Sequence, residues 1–443
     1  MRQDRAFKIL TIILALAIIL TISINATDSA SPAKLDSTSI SVLPAKVFWE
    51  KTYGGTADDR AFYAVTAGDG YLIVGSSQSI KQDTIVGWAL KLDEDGNVIW
   101  NQTFLEGSGV ELRFALNLTD GFLLVGNEFL ATGDVNGYVA RIDNQGALIW
   151  NIIVGGEKTD KLFSAIATQE GFILFGLTYS YGNGGSDAWV VKVDVSGNVI
   201  WNKTYGGLTD DAARTGVLAP DGDYLATGYT NPQGDSNYDF LLLKIDAMGH
   251  MVWNKTYGGI ESEKAYSMAK ADDGYVIVGD AQSLESGTDA WILKVDLNGN
   301  LSWNKTVGGK NADSPTFITP SKSGGYLVAG YTFSFGKGQR DFWLFKIDNA
   351  GQVLWSCTQG TEAFQEAYSV IEVDQNEFAM VGWADPVGSP TLIGKAIYDF
   401  YVVKVGVDTK AVMGFQIFSL SLVGQYLEFY WRLCFCCLKF IFN

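Results

Sequence analysis

The sequence predicts an all-β fold, a seven-bladed β-propeller of four-stranded blades, from two recurring signals and one missing strand. Seven tryptophans recur every 50–52 residues: Trp49, Trp100, Trp150, Trp201, Trp253, Trp303 and Trp355. A glycine keeps step 26 or 27 residues after each, at Gly75, Gly126, Gly176, Gly228, Gly279, Gly330 and Gly382. Repeats of this length that carry only strand signals are propeller blades. The last copy lacks its tryptophan strand, while an unmatched one, Val47–Thr52, precedes the first copy.

Residues 1–26 come first. Arg2, Arg5 and Lys8 precede an apolar run from about Ile9 to Ile24, the layout of an export signal. Two readings fit: a signal peptide cleaved after Ala26, or an uncleaved membrane anchor helix. Either places the protein outside the cell, secreted or on the outer face of the membrane. Residues 27–44 are rich in Ser, Thr, Ala and Asp and read as a flexible linker.

The propeller is expected over residues 45–406. In the fifth copy, Lys264–Ala271 reads as strand A, and Asp272-Asp273-Gly274 as a hairpin turn. Tyr275–Ala281 is strand B and Ala290–Val295 strand C. Asp296 and Gly299 bracket a tight turn, and Asn300–Thr306 is strand D with Trp303. Aromatics open strand C in six copies, at Trp88, Tyr138, Trp189, Trp291, Trp343 and Tyr401, with Leu241 in the fourth. These rings and the strand D indoles are expected to fill the spaces between blades. The seventh copy is expected to borrow Val47–Thr52 as its outer strand, which removes an open sheet edge. Lys203, Lys255 and Lys305 read as guards on the outer edge.

Residues 407–443 form an apolar tail. Ala411–Leu427 reads either as a second membrane span, with Arg432 and Lys439 on the inner side, or as an apolar end segment. Cys434, Cys436 and Cys437 would be acylation sites in the first case. With Cys357 they make up the four cysteines, which form neither a disulfide framework nor a zinc pair.

The formal charge of −17 over 443 residues argues against a nucleic-acid partner. Acidic residues recur at the D–A loops: Asp59, Glu111, Asp160, Asp211, Glu263, Asp313 and Glu366. Asp187, Asp239, Asp289, Asp341 and Asp399 stand just before strand C, with Asn136 in the second copy. The first set is expected to ring the mouth of the central channel. It reads as a site for Ca²⁺ or a cationic ligand, or as carboxylates satisfied by their own loops. No loop has the D-x-D-x-D-G calcium pattern, and no cofactor is expected. The single histidine, His250, reads as a surface turn residue. Asn101, Asn202, Asn254 and Asn304 are sequons on the outermost strand, candidates for glycosylation on an exported chain. Asn25, Asn117 and Asn300 also lie in sequons.

The stretch D-x-x-G-N-x-x-W, as in Asp194–Trp201, resembles the tryptophan-docking motif of quinoprotein-type (PQQ-like) propellers, with a turn one residue shorter. The whole repeat, WNKTYGG with its DGY and DAW stretches, resembles β-propeller repeat proteins of archaeal and bacterial cell surfaces. The resemblance spans about residues 45–406 and implies fold and packing. The vicinal cysteines of quinoprotein propellers have no counterpart within the ring, and Cys436-Cys437 stands in the tail.

Three functions are expected. The first is a non-catalytic surface module that binds a protein, a glycan or the cell envelope. The second is a propeller enzyme acting on glycans through top-face carboxylates. The third is a structural surface-layer component. Ala384–Ala396, in the seventh copy, is the longest departure from the repeat.

Overall fold

The computed structural model describes residues 42–235, 237–283, 287–385 and 398–408. The expected signal or anchor segment, nearly all of the linker, the apolar tail with its three cysteines, and most of the special loop lie outside these residues. So does the Asn25 sequon. Among the described residues, no helix is long and apolar enough to cross a membrane.

The described chain folds into seven four-stranded antiparallel sheets, the blades of a propeller. In the fifth blade, strand A is Glu263–Ala271, B is Gly274–Ser283, C is Gly287–Asp296 and D is Leu301–Val307. Strand C thus begins three residues earlier than its sequence pattern suggests. The seventh blade has A at Gln365–Asp374, B at Glu377–Ala384 and C at Asp399–Val407. Its outer strand is Ala45–Tyr53, paired antiparallel with strand C from Ala45↔Val407 to Tyr53↔Phe400. The N-terminal strand therefore closes the ring as expected. The clasp begins even earlier, because the Leu43 amide donates to the Ser356 carbonyl and Val42 bridges Ser356 in parallel.

Seven apolar clusters hold the ring together, one at each junction between neighbouring blades. The strand C residues meet the preceding blade in these clusters. Trp88 lies 4.7 Å from Phe400, Trp291 4.7 Å from Phe240, and Tyr401 5.1 Å from Phe342, ring centre to ring centre. Leu241 takes the same place in the fourth blade and is also buried. Each buried ring removes a large apolar area from water, so these positions weigh heavily in the core.

The strand D tryptophans join blades differently from the expectation. Trp49, Trp100, Trp150, Trp201, Trp253 and Trp303 are only half-buried. Each covers the C–D turn of the next blade rather than filling the core. The indole N–H groups of Trp49, Trp100, Trp150, Trp201 and Trp303 donate to turn carbonyls at 3.0–3.3 Å. The turn itself is fixed by its aspartate: Asp194 accepts from the Ser196 and Asn198 amides, and Gly197 adopts φ +87°. A side chain at Gly197 would press on the Trp150 ring. The turn glycine thus supplies a positive φ and a seat for the neighbouring indole at once.

Side chains alternate along a strand, so Trp, Lys and Tyr of W-N-K-T-Y share one face. Lys255 donates to Asn300, and Tyr257 to the Gly299 carbonyl at 2.5 Å. Lys51 and Tyr53 do the same at the turn around Gly96. Lys255 therefore docks on the next blade, and Lys203 and Lys305 set their stems beside the turn glycines Gly249 and Gly351. Trp355 has no such turn to cover, since the seventh blade takes its outer strand from the other end of the chain. It is buried, lies 5.4 Å from Phe378, and packs in the cluster that Leu43 and Ala45 join.

A second seven-fold contact ties the lower hairpins. The strand C cations reach the A–B turns: Lys192 pairs with Glu170 at 2.7 Å, Lys294 with Asp273, and Arg141 with Asp120. Lys346 donates to Ser321 and Ser323 instead.

Deleting residues 45–53 is expected to abolish the cooperative thermal transition seen by circular dichroism. A truncated chain that melts as the parent does would exclude the clasp as the closing element. Trp253→Ala is expected to cost about 2–3 kcal/mol in urea denaturation, and Lys255→Ala less than about 1 kcal/mol.

Candidate functional site at the channel mouth

The repeat glycine of strand B positions the inner wall. Strand A of every blade carries a bulge just after the residue that pairs with this glycine, as between Ala61 and Tyr63 or between Ala265 and Ser267. The bulge drives a strand A carbonyl against the glycine: a Cβ on Gly75 would overlap the Arg60 carbonyl, and one on Gly279 the Lys264 carbonyl. The same overlap recurs at Gly126, Gly176, Gly228, Gly330 and Gly382. A bulge adds one residue and re-aims its side chain. The seven extra residues are Phe62, Arg113, Phe163, Arg214, Tyr266, Thr316 and Tyr368, and all line a central cavity of about 100 Å³.

The acidic ring is smaller than the sequence suggests. Asp59, Asp160, Asp211, Glu263 and Asp313 open strand A in their blades and are all buried. Each accepts a hydrogen bond from the second glycine of its own loop: Gly55 at 2.9 Å, Gly156 at 2.6 Å, Gly207 at 2.9 Å, Gly259 at 3.0 Å and Gly309 at 2.6 Å. Asp160 also accepts from Thr178 and Ser180, and Asp313 from Thr332 and Ser334. These carboxylates lock loops and do not open onto the channel.

Glu111 and Glu366 do not belong to that set. Their strand partners are Asn127 and Trp383, which puts them level with Arg60, Lys161 and Lys264, one residue further on. Val110 and Gln365 hold the ring position in the second and seventh blades. One step along a strand reverses the face, so Glu111 and Glu366 pair with Arg113 and Arg340 instead.

The aspartates that open strand C face the ring acids of the next blade across a glycine. A Cβ on Gly206 would lie 2.6 Å from Asp187 and crowd Asp211, and Gly54 stands likewise between Asp399 and Asp59. The glycine pair in Y-G-G is thus demanded by two carboxylates that converge on it. Burial pushes Glu263 up to about 7, against the Gly259 amide, and Asp239 adds to the rise. Asp399 is pushed up to about 6 by burial, with Asp59 adding to it. Asp187, Asp211, Asp239, Asp313 and Asp341 are raised by the same cause. Among the described residues, no three His, Cys, Asp or Glu side chains converge as a metal-ligand set.

The mouth itself breaks the seven-fold repetition. The residues just after the repeat glycines are Ser76, Asn127 and Leu177 in the first three blades, then Tyr229, Asp280, Tyr331 and Trp383. Around the second group, cations lie on rings. Lys264 sits 3.9 Å from the Tyr238 ring centre and 5.2 Å from that of Tyr229. Arg340 lies 4.9 Å from both Tyr331 and Phe333 and 5.9 Å from Trp383. Arg60 lies 4.8 Å from Tyr398, whose ring is 4.1 Å from that of Trp383. Asp280 accepts from Ser314 at 2.5 Å and Tyr266 at 2.8 Å, and burial pushes it up to about 6. Tyr229, Tyr238, Tyr331, Phe333 and Tyr398 are half-buried. The result is one aromatic and cationic arc over blades four to seven, meeting Arg60 of the first.

None of these arc residues was singled out from sequence. Their signal was variation: the position after the repeat glycine changes in every copy except for two tyrosines. His250 is an exposed turn residue, its ring nitrogen 3.0 Å from Asp246. Asn101, Asn202 and Asn254 are exposed on strand D, and Asn304 is half-buried.

The raised carboxyls fix a sign for pH dependence. An unfolded Glu263 titrates near 4.5 and the folded one at about 7. Between these values the folded chain holds a proton that the unfolded chain has released, so stability falls as pH rises. The melting temperature is therefore expected to drop from about pH 5 to about pH 7. Glu263→Gln should flatten that slope; an unchanged slope in the variant would rule out Glu263 as a contributor.

No protein-family model matches the chain, and no curated protein matches it in sequence. Solved structures match it in fold. The WD40 domain of coronin from Toxoplasma gondii is 11% identical, with a TM-score of 0.48, covering 83% of this chain and 88% of that one. Sqt1 from Chaetomium thermophilum is 12% identical, with a TM-score of 0.46, covering 83% and 100%. The periplasmic gluconolactonase PpgL of Pseudomonas aeruginosa is 13% identical, with a TM-score of 0.46, covering 66% and 83%. At such identities and TM-scores the likeness adds nothing to the β-propeller that the strand topology itself shows.

Proposed function

We propose that the chain is a non-catalytic binding module displayed outside the cell, which grips its ligand at the channel mouth. The observation that carries this reading is the arc of half-buried rings and cations on four neighbouring blades of an otherwise repetitive ring. Flat aromatic faces suit a sugar ring or another planar group, and the adjoining guanidinium and ammonium groups suit one with negative charge. The apolar run at residues 9–24, behind a basic start, supports export. Hydrolysis by paired carboxylates has weaker support, because the ring acids are buried and bound by their own loop amides.

The test is binding of the full chain to an array of neutral and acidic glycans, repeated with Tyr331→Ala and Tyr398→Ala. At least tenfold weaker binding in both variants, with the fold intact by circular dichroism, is expected. Undiminished binding would move the ligand site away from the mouth.

A further inference from the structure

Below the mouth, the cavity lining holds two arginines, Arg113 and Arg214, and no carboxylate. The two are not equivalent. Arg113 lies 4.0 Å from the Phe62 ring centre and gives its Nε hydrogen to Glu111 at 2.5 Å. Arg214 lies 4.0 Å from the Phe163 ring and 5.7 Å from Tyr266. Among the described residues its guanidinium has no carboxylate partner and no hydrogen bond. Burial holds its guanidinium below the usual arginine range, and the like charge of Arg113 acts in the same direction.

The acidic groups nearby are already engaged. Asp280 takes the Tyr266 hydroxyl, and Glu366 takes the Tyr368 hydroxyl at 2.8 Å and the Arg340 guanidinium. The charged side chains that line the cavity are thus the two arginines, Arg113 paired with Glu111 behind it and Arg214 without a carboxylate of its own. A guanidinium stacked face-on against a ring keeps its donors in plane, free for a planar acceptor. A partly buried charge without a counter-ion is costly, and an anion that fills the cavity offsets that cost.

We propose that the floor of the central channel binds a carboxylate group, held by Arg214 with Arg113 beside it. The apolar rings of Phe62 and Phe163 and the small space favour a planar monoanion over a bulky, strongly hydrated dianion. The cavity, at about 100 Å³, is smaller than the roughly 150 Å³ cavity that accommodates benzene. A carboxylate head enters, while a sugar ring attached to it stays at the mouth. The ligand class is therefore an acidic sugar or another small carboxylic acid. The sugar form rests on the proposed role of the mouth; the anion site rests on the channel residues alone.

The experiment is calorimetric titration of the full chain with sodium acetate, sodium glucuronate and sodium sulfate. It is repeated with Arg214→Met, Arg113→Gln and Tyr331→Ala, each checked for an unchanged melting curve. Saturable binding of glucuronate, weaker binding of acetate, and at least tenfold loss of both in Arg214→Met are expected. Equal binding of acetate and glucuronate, lost in Arg214→Met, would keep the channel site and remove the mouth from the ligand. Glucuronate binding that survives Arg214→Met and Arg113→Gln but falls in Tyr331→Ala would keep the mouth and overturn the channel site. Sulfate binding as tight as acetate, or no binding of either carboxylate, would overturn the proposal as well.

Discussion

The inner wall of the ring depends on a carbonyl pressed against a glycine. In all seven blades strand A bulges at the same point, and only a residue without a Cβ lets strand B approach it. That contact decides which side chain each blade sends into the channel. A scaffold common to all blades therefore presents seven freely variable residues at one place. Four neighbouring blades have filled the adjoining position with Tyr, Asp, Tyr and Trp, while the other three keep Ser, Asn and Leu. Repetition supplies the frame, and departures from repetition supply the chemistry.

Much of the frame was legible in the sequence, because its causes are local. Strand alternation and the Asp-x-x-Gly turn each act over a few residues, and the phase of tryptophan with glycine stays within one repeat. Even the closure by Val47–Thr52 could be read, as a strand missing at one end and left over at the other. The docking of W-N-K-T-Y was only half legible. Its alternation was visible, but not that Trp, Lys and Tyr lean together on the turn of the next blade, since that contact spans over forty residues.

The acidic ring shows where spacing misleads. Gly107 stands four residues before Glu111, as Gly55 stands before Asp59. The register nevertheless puts Val110 in the place of Asp59. A single residue in a loop transfers a carboxylate from a sealed position to the channel side, and composition carries no trace of that step. The aromatic and cationic arc was illegible for another reason. A search for constancy passes over positions whose significance lies in being unlike one another.

The clasp has a consequence for the order of events in the life of the chain. Tyr401 donates to Glu50 at 2.7 Å, a contact between residues 351 positions apart. The strand made first is used last. Until the final blade has been synthesised, the ring stays open and its terminal sheets present unpaired edges. Such long-range pairings are slow, and partly finished propellers are exposed to misassembly. The early strand must wait, extended and unpartnered, for almost the entire polypeptide to arrive.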